Sequence, residues 1–141
     1  MNDIRGNLRI MLGVIMIYLF NKFALRPHVL NNQLSGLIKT IAFSLPNFCE
    51  AVCGTILLTN IALVANTRLL SPQHRFGLST IYFTTTSSAA VYVILQELKI
   101  HNLGGRNVYD VHDLEFSVIG LTLTLCYLLI KQPRYTEEMN T

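Results

Sequence analysis

Apolar residues in this chain are gathered into four long stretches separated by shorter polar segments. The stretches cover approximately residues 8–25, 46–64, 76–98 and 113–130. Each is close in length to the roughly 20 residues of helix that cross a hydrocarbon core about 30 Å thick. They lack the strict alternation of apolar and polar residues that marks a transmembrane barrel. The pattern predicts an all-α integral membrane protein, a single domain over residues 1–141 with four transmembrane helices in a small bundle.

The segment after the first span is too polar to cross a membrane, but it carries apolar residues at helical spacing. These residues are Leu34, Leu37, Ile38 and Ile41. Such spacing over residues 27–39 and just beyond predicts a short helix that lies at the membrane interface. At the start of the second span, Ser44 is a candidate N-cap and Pro46 suits a first helical turn.

The third span has an unusual centre of small and hydroxyl-bearing residues, from 84 to 90. Small residues let helices approach closely in lipid, and Ser and Thr hydroxyls bond their own helix or a neighbouring one. Close helix packing is the favoured interpretation of this segment, and a role in lining a substrate path is the alternative.

Composition supports the membrane class and excludes several others. Charged residues make up 13% of the chain, against about 25% in soluble proteins. The net charge of +3 comes from Lys and Arg scattered at segment ends, which predicts helix anchors and no nucleic-acid partner. Their distribution weakly favours both termini in the cytoplasm. The three cysteines lie within apolar runs, and the histidines are dispersed, so the sequence predicts no metal, no cofactor and no catalytic motif.

The polar segment that leads into the last span holds the most informative residues. Asp110, Asp113, Ser117 and Gly120 are spaced three, four and three residues apart, which places them on one face of a helix. Two carboxylates at the end of a transmembrane helix are unfavourable unless they are paired or hydrated. Arg106 precedes Asp110 by four residues and is therefore a candidate partner.

Other polar residues are expected at the same membrane edge. Gln96 and Glu97 end the third span, and Glu50 stands near the start of the second. Because spans two and four begin at the edge where span three ends, these side chains are expected to converge. The predicted ligand-binding cleft consists of Glu50, Gln96, Glu97, Arg106, Asp110, Asp113 and Ser117. The alternative is that the acids merely cap and anchor helix ends.

The same residues resemble a known family. Gln96-Glu97, Gly105-Arg106, Asp110, Asp113, Ser117 and Gly120 follow an order similar to that of the C-terminal half of VanZ-like membrane proteins. The specific similarity covers about 25 residues. The sequence departs from the family pattern in three respects. Ser117 stands where the family usually has Asn, and Glu50 stands where a His is expected. Gln96 and Glu97 are adjacent, whereas the family usually has Glu-x-x-Gln spacing.

The resemblance implies a role at the cell envelope and an influence on sensitivity to glycopeptide-type antibiotics. The resulting hypothesis is a protein of the inner (cytoplasmic) membrane that binds a polar lipid headgroup or a lipid-linked cell-wall group. Arg106 would hold phosphate or carboxylate, since its planar fork binds either bidentately.

Two other functions stay open at this point. Glu50 in an apolar span is typical of a small proton- or cation-coupled transporter. The small-residue face of the third span instead favours a non-catalytic subunit of a membrane complex, or a homo-oligomer. That face consists of Thr84, Ser88, Val91 and Leu95.

Overall fold

The computed structural model describes residues 2–34, 36–97 and 111–139, and within these ranges it contains helices and turns but no strand. Its helices are α1 (Asn2–Phe20), a π-helical segment (Asn21–Leu25), α2 (Arg26–Asn31), α3 (Leu37–Arg68), a 3-10 turn (Pro72–His74), α4 (Leu78–Glu97) and α5 (Val111–Met139). Four helical segments are long and apolar enough to cross a membrane: Ile4–Asn31, Leu37–Arg68, Leu78–Gln96 and Val111–Lys131. The all-α prediction and the predicted number of long apolar helices are confirmed for these ranges.

Helix α3 is the central element of the bundle. It packs against α1, α4 and α5, and α4 also packs against α5, whereas α1 lies at the periphery and meets mainly α3. Three small apolar clusters join the helices. The first holds Val14, Cys49, Val52 and Ile56. The second holds Ala51, Ala89, Val93 and Leu121. The third holds Leu63, Ile81, Tyr82 and Leu128.

Large apolar side chains also cover the outside of the long helices. Among them are Leu12, Phe23, Leu57, Val91, Leu123 and Ile130. A soluble monomer rarely exposes apolar surface this extensively. Surfaces of this kind are typical of helices that face lipid.

Helices α3 and α5 approach each other closely at Gly120. A Cβ atom built there would lie 2.8 Å from the carbonyl oxygen of Phe48 and 3.2 Å from the Cβ of Ala51. Both distances are shorter than ordinary van der Waals contact, so glycine is what lets the two backbones meet.

Hydroxyl groups join α3 to α4 farther along the bundle. Thr59 Oγ1 and Thr85 Oγ1 are 2.9 Å apart and both are buried. Thr84 and Ser88 instead donate to carbonyl oxygens one turn earlier in α4, at 2.8 Å each. The hydroxyl-rich centre of the third span therefore bonds both its own helix and a neighbouring one.

The second long helix begins at Leu37, so the prediction of Ser44 as its N-cap and Pro46 in its first turn is wrong. Pro46 lies inside α3. A proline there removes one N–H and leaves the carbonyl of residue 42 without its helical donor. The structure supplies substitutes, because Ala42 O accepts hydrogen bonds from Asn21 Nδ2 at 2.9 Å and from Arg26 Nε at 3.0 Å.

Arg26 also stabilises the turn that follows. Its Nη2 donates to Phe43 O at 2.8 Å, and its guanidinium carbon lies 5.1 Å from the centre of the Phe43 ring. Asn21 is the first residue of the π-helical segment. The wider helical turn at this point accompanies the inward placement of the Asn21 side chain, which is fully buried.

The short helix predicted after the first span has a different form in the structure. Arg26–Asn31 continues directly from the π-helical segment, and a turn near Gly36, whose φ is +72°, separates it from α3. Leu37, Ile38 and Ile41 belong to α3. Leu34 lies in the turn between α2 and α3, so the predicted segment is divided among the end of α2, this turn and the start of α3.

Arg26→Ala is expected to lower the free energy of unfolding by about 2 kcal/mol, because hydrogen bonds to charged groups contribute about 1.5–3 kcal/mol. The measurement is the SDS fraction at the unfolding midpoint in mixed micelles. In a Pro46→Ala background the effect should shrink, since the restored N–H of residue 46 competes for Ala42 O. Equal effects of Arg26→Ala in both backgrounds would show that Arg26 does not compensate for the proline.

Candidate functional site

Five residues from three helices form a small open depression, which we call the polar notch. They are Asn47 and Glu50 on α3, Val93 and Gln96 on α4, and Ser117 on α5. Asn47 and Glu50 are three residues apart, as are Val93 and Gln96, so each pair shares one helix face. The notch lies near the start of α5 and the end of α4, beside residues in the first half of α3.

Ser117 is the least exposed member of the notch. Its side chain is 1% exposed, and its Oγ is buried without a hydrogen-bond partner among the described residues. A buried hydroxyl without a partner is unfavourable by about 1–3 kcal/mol, so such groups are uncommon in folded proteins. Thr122 and Thr124, on the same helix, both donate to carbonyl oxygens four residues earlier. Ser117 Oγ differs from these two hydroxyls, and it shares the lack of a described partner with Ser44 Oγ and Thr86 Oγ1 elsewhere in the bundle.

Glu50 is the charged member of the notch. Its side chain is exposed, and within residues 2–34, 36–97 and 111–139 it makes no ion pair or hydrogen bond. None of the other four residues that line the notch carries a charge. The described part of the site is consequently acidic and rich in hydrogen-bond acceptors.

The inner end of the notch is apolar. Val93 packs with Ala51, Ala89 and Leu121 in one of the three core clusters. Gly120, one turn after Ser117, lies against Phe48, which is the neighbour of Asn47. Close packing of α3 with α5 therefore sets the distance between Ser117 and the polar residues of α3.

The structure brings together three of the seven residues predicted for the cleft: Glu50, Gln96 and Ser117. Asp113 stands in the first turn of α5, half-buried and one turn before Ser117, but it does not line the notch. Glu97 is the last residue of α4, and its side chain lies outside the described part of the chain. Arg106 and Asp110 lie outside the described residues.

Sequence reasoning missed Asn47 and Val93. The signal was available, because each precedes a predicted site residue by three positions on the same helix. A helix that began at Pro46 would instead place Asn47 in its first turn. With α3 beginning at Leu37, Asn47 lies within the helix and faces the notch.

A second polar group lies toward the other end of the bundle. Asn7 Nδ2 donates to Asn60 Oδ1 at 2.7 Å. Asn7 Oδ1 accepts from Tyr127 OH at 3.3 Å and from Lys131 Nζ at 3.2 Å. Lys131 Nζ also donates to Tyr127 OH at 2.9 Å. This network joins α1, α3 and α5, and the sequence did not predict it.

Metal ligands do not gather in the part of the chain that the structure describes. No group of three or more His, Cys, Asp and Glu residues is placed there to hold an ion. The three cysteines are free thiols.

Comparison with known protein families, with curated proteins and with solved structures gives no match for this chain. The VanZ-like assignment therefore rests on the sequence resemblance alone and stays a prediction. The geometry of the polar notch carries the functional argument.

Proposed function

We propose that this chain is a multi-pass protein of the cytoplasmic membrane that binds a polar lipid headgroup, or a lipid-linked cell-wall group, at the polar notch. Binding there would influence sensitivity to glycopeptide-type antibiotics, as the VanZ-like resemblance implies. The four long apolar helices would cross the bilayer, with both termini in the cytoplasm and the notch at the outer edge. The observation that carries the proposal is the convergence of Glu50, Gln96 and Ser117 from three helices.

The position of the notch suits a ligand that arrives from the bilayer surface. Helix α3 has 32 residues in all, more than a membrane core requires. The second apolar stretch of the sequence begins near residue 46, and from there to Arg68 the helix has 23 residues, which is about 34 Å at about 1.5 Å per residue. This length matches a hydrocarbon core of about 30 Å. Asn47 and Glu50 would then lie close to the headgroup level, where polar side chains meet both water and lipid.

The proposal predicts a change in antibiotic sensitivity when the notch is altered. Glu50→Gln and Ser117→Ala, expressed in cells that lack the native gene, should behave like the deletion when growth is measured in a glycopeptide. Glu115→Gln is the matched control, because Glu115 is an exposed acid on α5 that contacts His112 and is not part of the notch. Protein levels are measured alongside growth.

Unchanged sensitivity of the Glu50→Gln and Ser117→Ala cells at normal protein levels would overturn the proposal. Arg106→Ala and Arg106→Lys extend the test to the residue that the sequence predicts as an anion ligand. Arg106→Ala is expected to abolish the effect of the protein on antibiotic sensitivity. Arg106→Lys is expected to retain part of that effect, because Lys keeps the positive charge but lacks the planar fork.

A proton or cation pathway through Glu50 has less support. Val93, which lines the notch, packs with Ala51, Ala89 and Leu121, so the notch borders an apolar cluster. Glu50 also lies near one edge of the predicted membrane region and not at its centre. A binding site that opens at one surface accounts for this arrangement better than a continuous path.

Exposed residues on α4 leave room for a neighbouring protein. Thr84, Ser88, Val91 and Leu95, the predicted partner face, are all exposed. The same exposure is expected for a face covered by lipid, so a subunit role or a homo-oligomer has no observation that favours it over lipid contact.

A further inference from the structure

We propose that α1 is a movable helix, with the π-helical segment (Asn21–Leu25) as its hinge and the hydrogen-bond network around Asn7 as its latch. In the open position the Asn7 end of α1 lies away from α3, and the face of α3 beneath it is uncovered. The other long helices stay packed together. This conformational change is independent of what binds at the polar notch.

One face of α1 carries the residues that meet α3. They are Asn7, Met11, Val14, Tyr18 and Asn21, spaced four and three positions apart in turn. The three in the middle pack in the first apolar cluster. The two asparagines form hydrogen bonds at the two ends. Helix α1 is therefore attached to α3 by an apolar middle and two polar ends.

Apolar packing alone holds α1 weakly. An 18-residue stretch of the span Ile4–Asn31 is 11% buried among the described residues, whereas the corresponding stretch of α3 is 44% buried. In a membrane, an apolar helix face that leaves its neighbour meets acyl chains that are almost as favourable, so hydrogen bonds contribute much of the attraction between helices. The polar contacts at the two ends of α1 therefore decide whether it stays in place.

The Asn21 end of α1 is the more firmly fixed. Asn21 Nδ2 and Arg26 Nε both donate to Ala42 O, and Arg26 Nη2 donates to Phe43 O. The chain itself also holds this end, because α3 begins at Leu37, six positions after α2 ends. A π-helical segment interrupts the regular hydrogen bonding of an α-helix, and such segments are frequent at functional sites. The segment is therefore suited to act as the hinge.

The other end of α1 is held by a network that a single side chain organises. Asn7 precedes Asn21 by 14 residues, which is about 21 Å along a helix. Its three hydrogen bonds, with Asn60, Tyr127 and Lys131, connect α1 to α3 and α5. Replacement of Asn7 removes all three at once. Because these contacts lie far from the hinge, they restrain the rotation of α1 most effectively.

The remaining helices keep their contacts when α1 moves. Within the described ranges, the second and third apolar clusters are built from α3, α4 and α5, without a residue of α1. The hydroxyl contact between Thr59 and Thr85 likewise joins α3 to α4. Opening is therefore a local event, which requires less free energy than unfolding of the whole bundle.

The native cysteines make the movement measurable. Cys49 is 3% exposed and lies in the cluster beneath α1, whereas Cys126 is exposed on α5. The full-length protein in mild detergent is treated with N-ethylmaleimide, and mass spectrometry of its peptides gives the labelling rate of each thiol. Asn7→Leu should raise the rate at Cys49 by at least about tenfold. The rate at Cys126 should not change, because that thiol is accessible in both positions of α1.

Leu121→Ala distinguishes movement of α1 from unfolding of the whole protein. It leaves a cavity in the second cluster, which joins α3, α4 and α5, and so destabilises the bundle without touching α1. This variant should leave the Cys49 labelling rate unchanged. Equal acceleration by Leu121→Ala and Asn7→Leu would mean that Cys49 reacts only after global unfolding, and would overturn the inference.

Arg26→Ala tests the hinge. Its contacts with Ala42 and Phe43 are present whether α1 is closed or open, so their loss should change the Cys49 labelling rate little. Acceleration as large as that in Asn7→Leu would show that α1 leaves as a whole, and would overturn the hinge. An unchanged Cys49 rate in folded Asn7→Leu protein would overturn the latch. Each variant is first checked by size-exclusion chromatography, and Asn60→Leu replaces Asn7→Leu if that variant does not fold, with a smaller increase at Cys49 expected.

Discussion

Replacing Gly120 by alanine is expected to lower the free energy of unfolding by about 2 kcal/mol, and replacing it by leucine by more, because overpacking of a close contact is destabilising by about 1–3 kcal/mol. The added Cβ would lie 2.8 Å from Phe48 O. A backbone atom cannot rotate away as a flexible side chain can, so α3 and α5 have to separate. The SDS fraction at the unfolding midpoint in mixed micelles measures the loss.

Gly54→Ala is the matched control for this prediction. Gly54 also lies within a long helix, but a Cβ atom built there meets nothing within 4 Å. Alanine is favoured over glycine in a helix by about 0.5–1 kcal/mol, so this variant should be as stable as the native protein or slightly more stable. Equal destabilisation by both substitutions would mean that the contact of Gly120 with Phe48 does not set the helix distance.

The same substitution has a consequence for the polar notch. Gly120 lies one helical turn after Ser117, and Phe48 adjoins Asn47. Separation of α3 from α5 would widen the notch, so Gly120→Ala is expected to weaken lipid binding as well as stability. Both effects follow from a single contact.

Asn7→Leu is expected to lower the free energy of unfolding by at least about 2 kcal/mol, because buried polar groups left without partners are unfavourable by about 1–3 kcal/mol each. Asn7 donates to Asn60 and accepts hydrogen bonds from Tyr127 and Lys131. Leucine has a similar size and can do neither. Unfolding in SDS mixed micelles measures the effect.

The relative stabilities of three variants test the hydrogen-bond network around Asn7. Asn60→Leu should be less harmful than Asn7→Leu, because the structure gives Asn60 one hydrogen bond in the network and Asn7 three. Asn7→Asp should be the mildest of the three, since it keeps oxygen acceptors for Lys131. The control Asn31→Leu, at an exposed position, should have little effect. An Asn60→Leu protein less stable than Asn7→Leu would contradict this reading of the contacts.

Hydropathy was sufficient to predict the long helices, because a stretch of about 20 apolar residues has few alternatives to a helix. It was insufficient to place the start of α3. Pro46 normally marks a helix beginning. Here Arg26 and Asn21, about 20 positions earlier in the chain, supply the missing hydrogen bonds. A contact between distant parts of the chain cannot be read from local sequence.

The candidate site was predictable only in part, because contacts between helices cannot be read from local sequence. Helical spacing identified Ser117, and the order of the spans placed it at one edge with Glu50 and Gln96. The lack of a partner for Ser117 Oγ depends on the packing of three helices and has no signature in the sequence. The network of Asn7, Asn60 and Tyr127 was missed because isolated asparagines in apolar runs carry no periodic pattern.

Lipid binding by the purified protein tests the role of the polar notch most directly. The full-length protein in mild detergent is titrated with membrane phospholipids, and bound lipid is measured by native mass spectrometry. The account predicts that Glu50→Gln and Ser117→Ala weaken lipid binding, whereas the control Glu115→Gln, at an exposed acid outside the notch, leaves it unchanged. Equal lipid binding by the native protein and by the Glu50→Gln and Ser117→Ala variants would contradict the account.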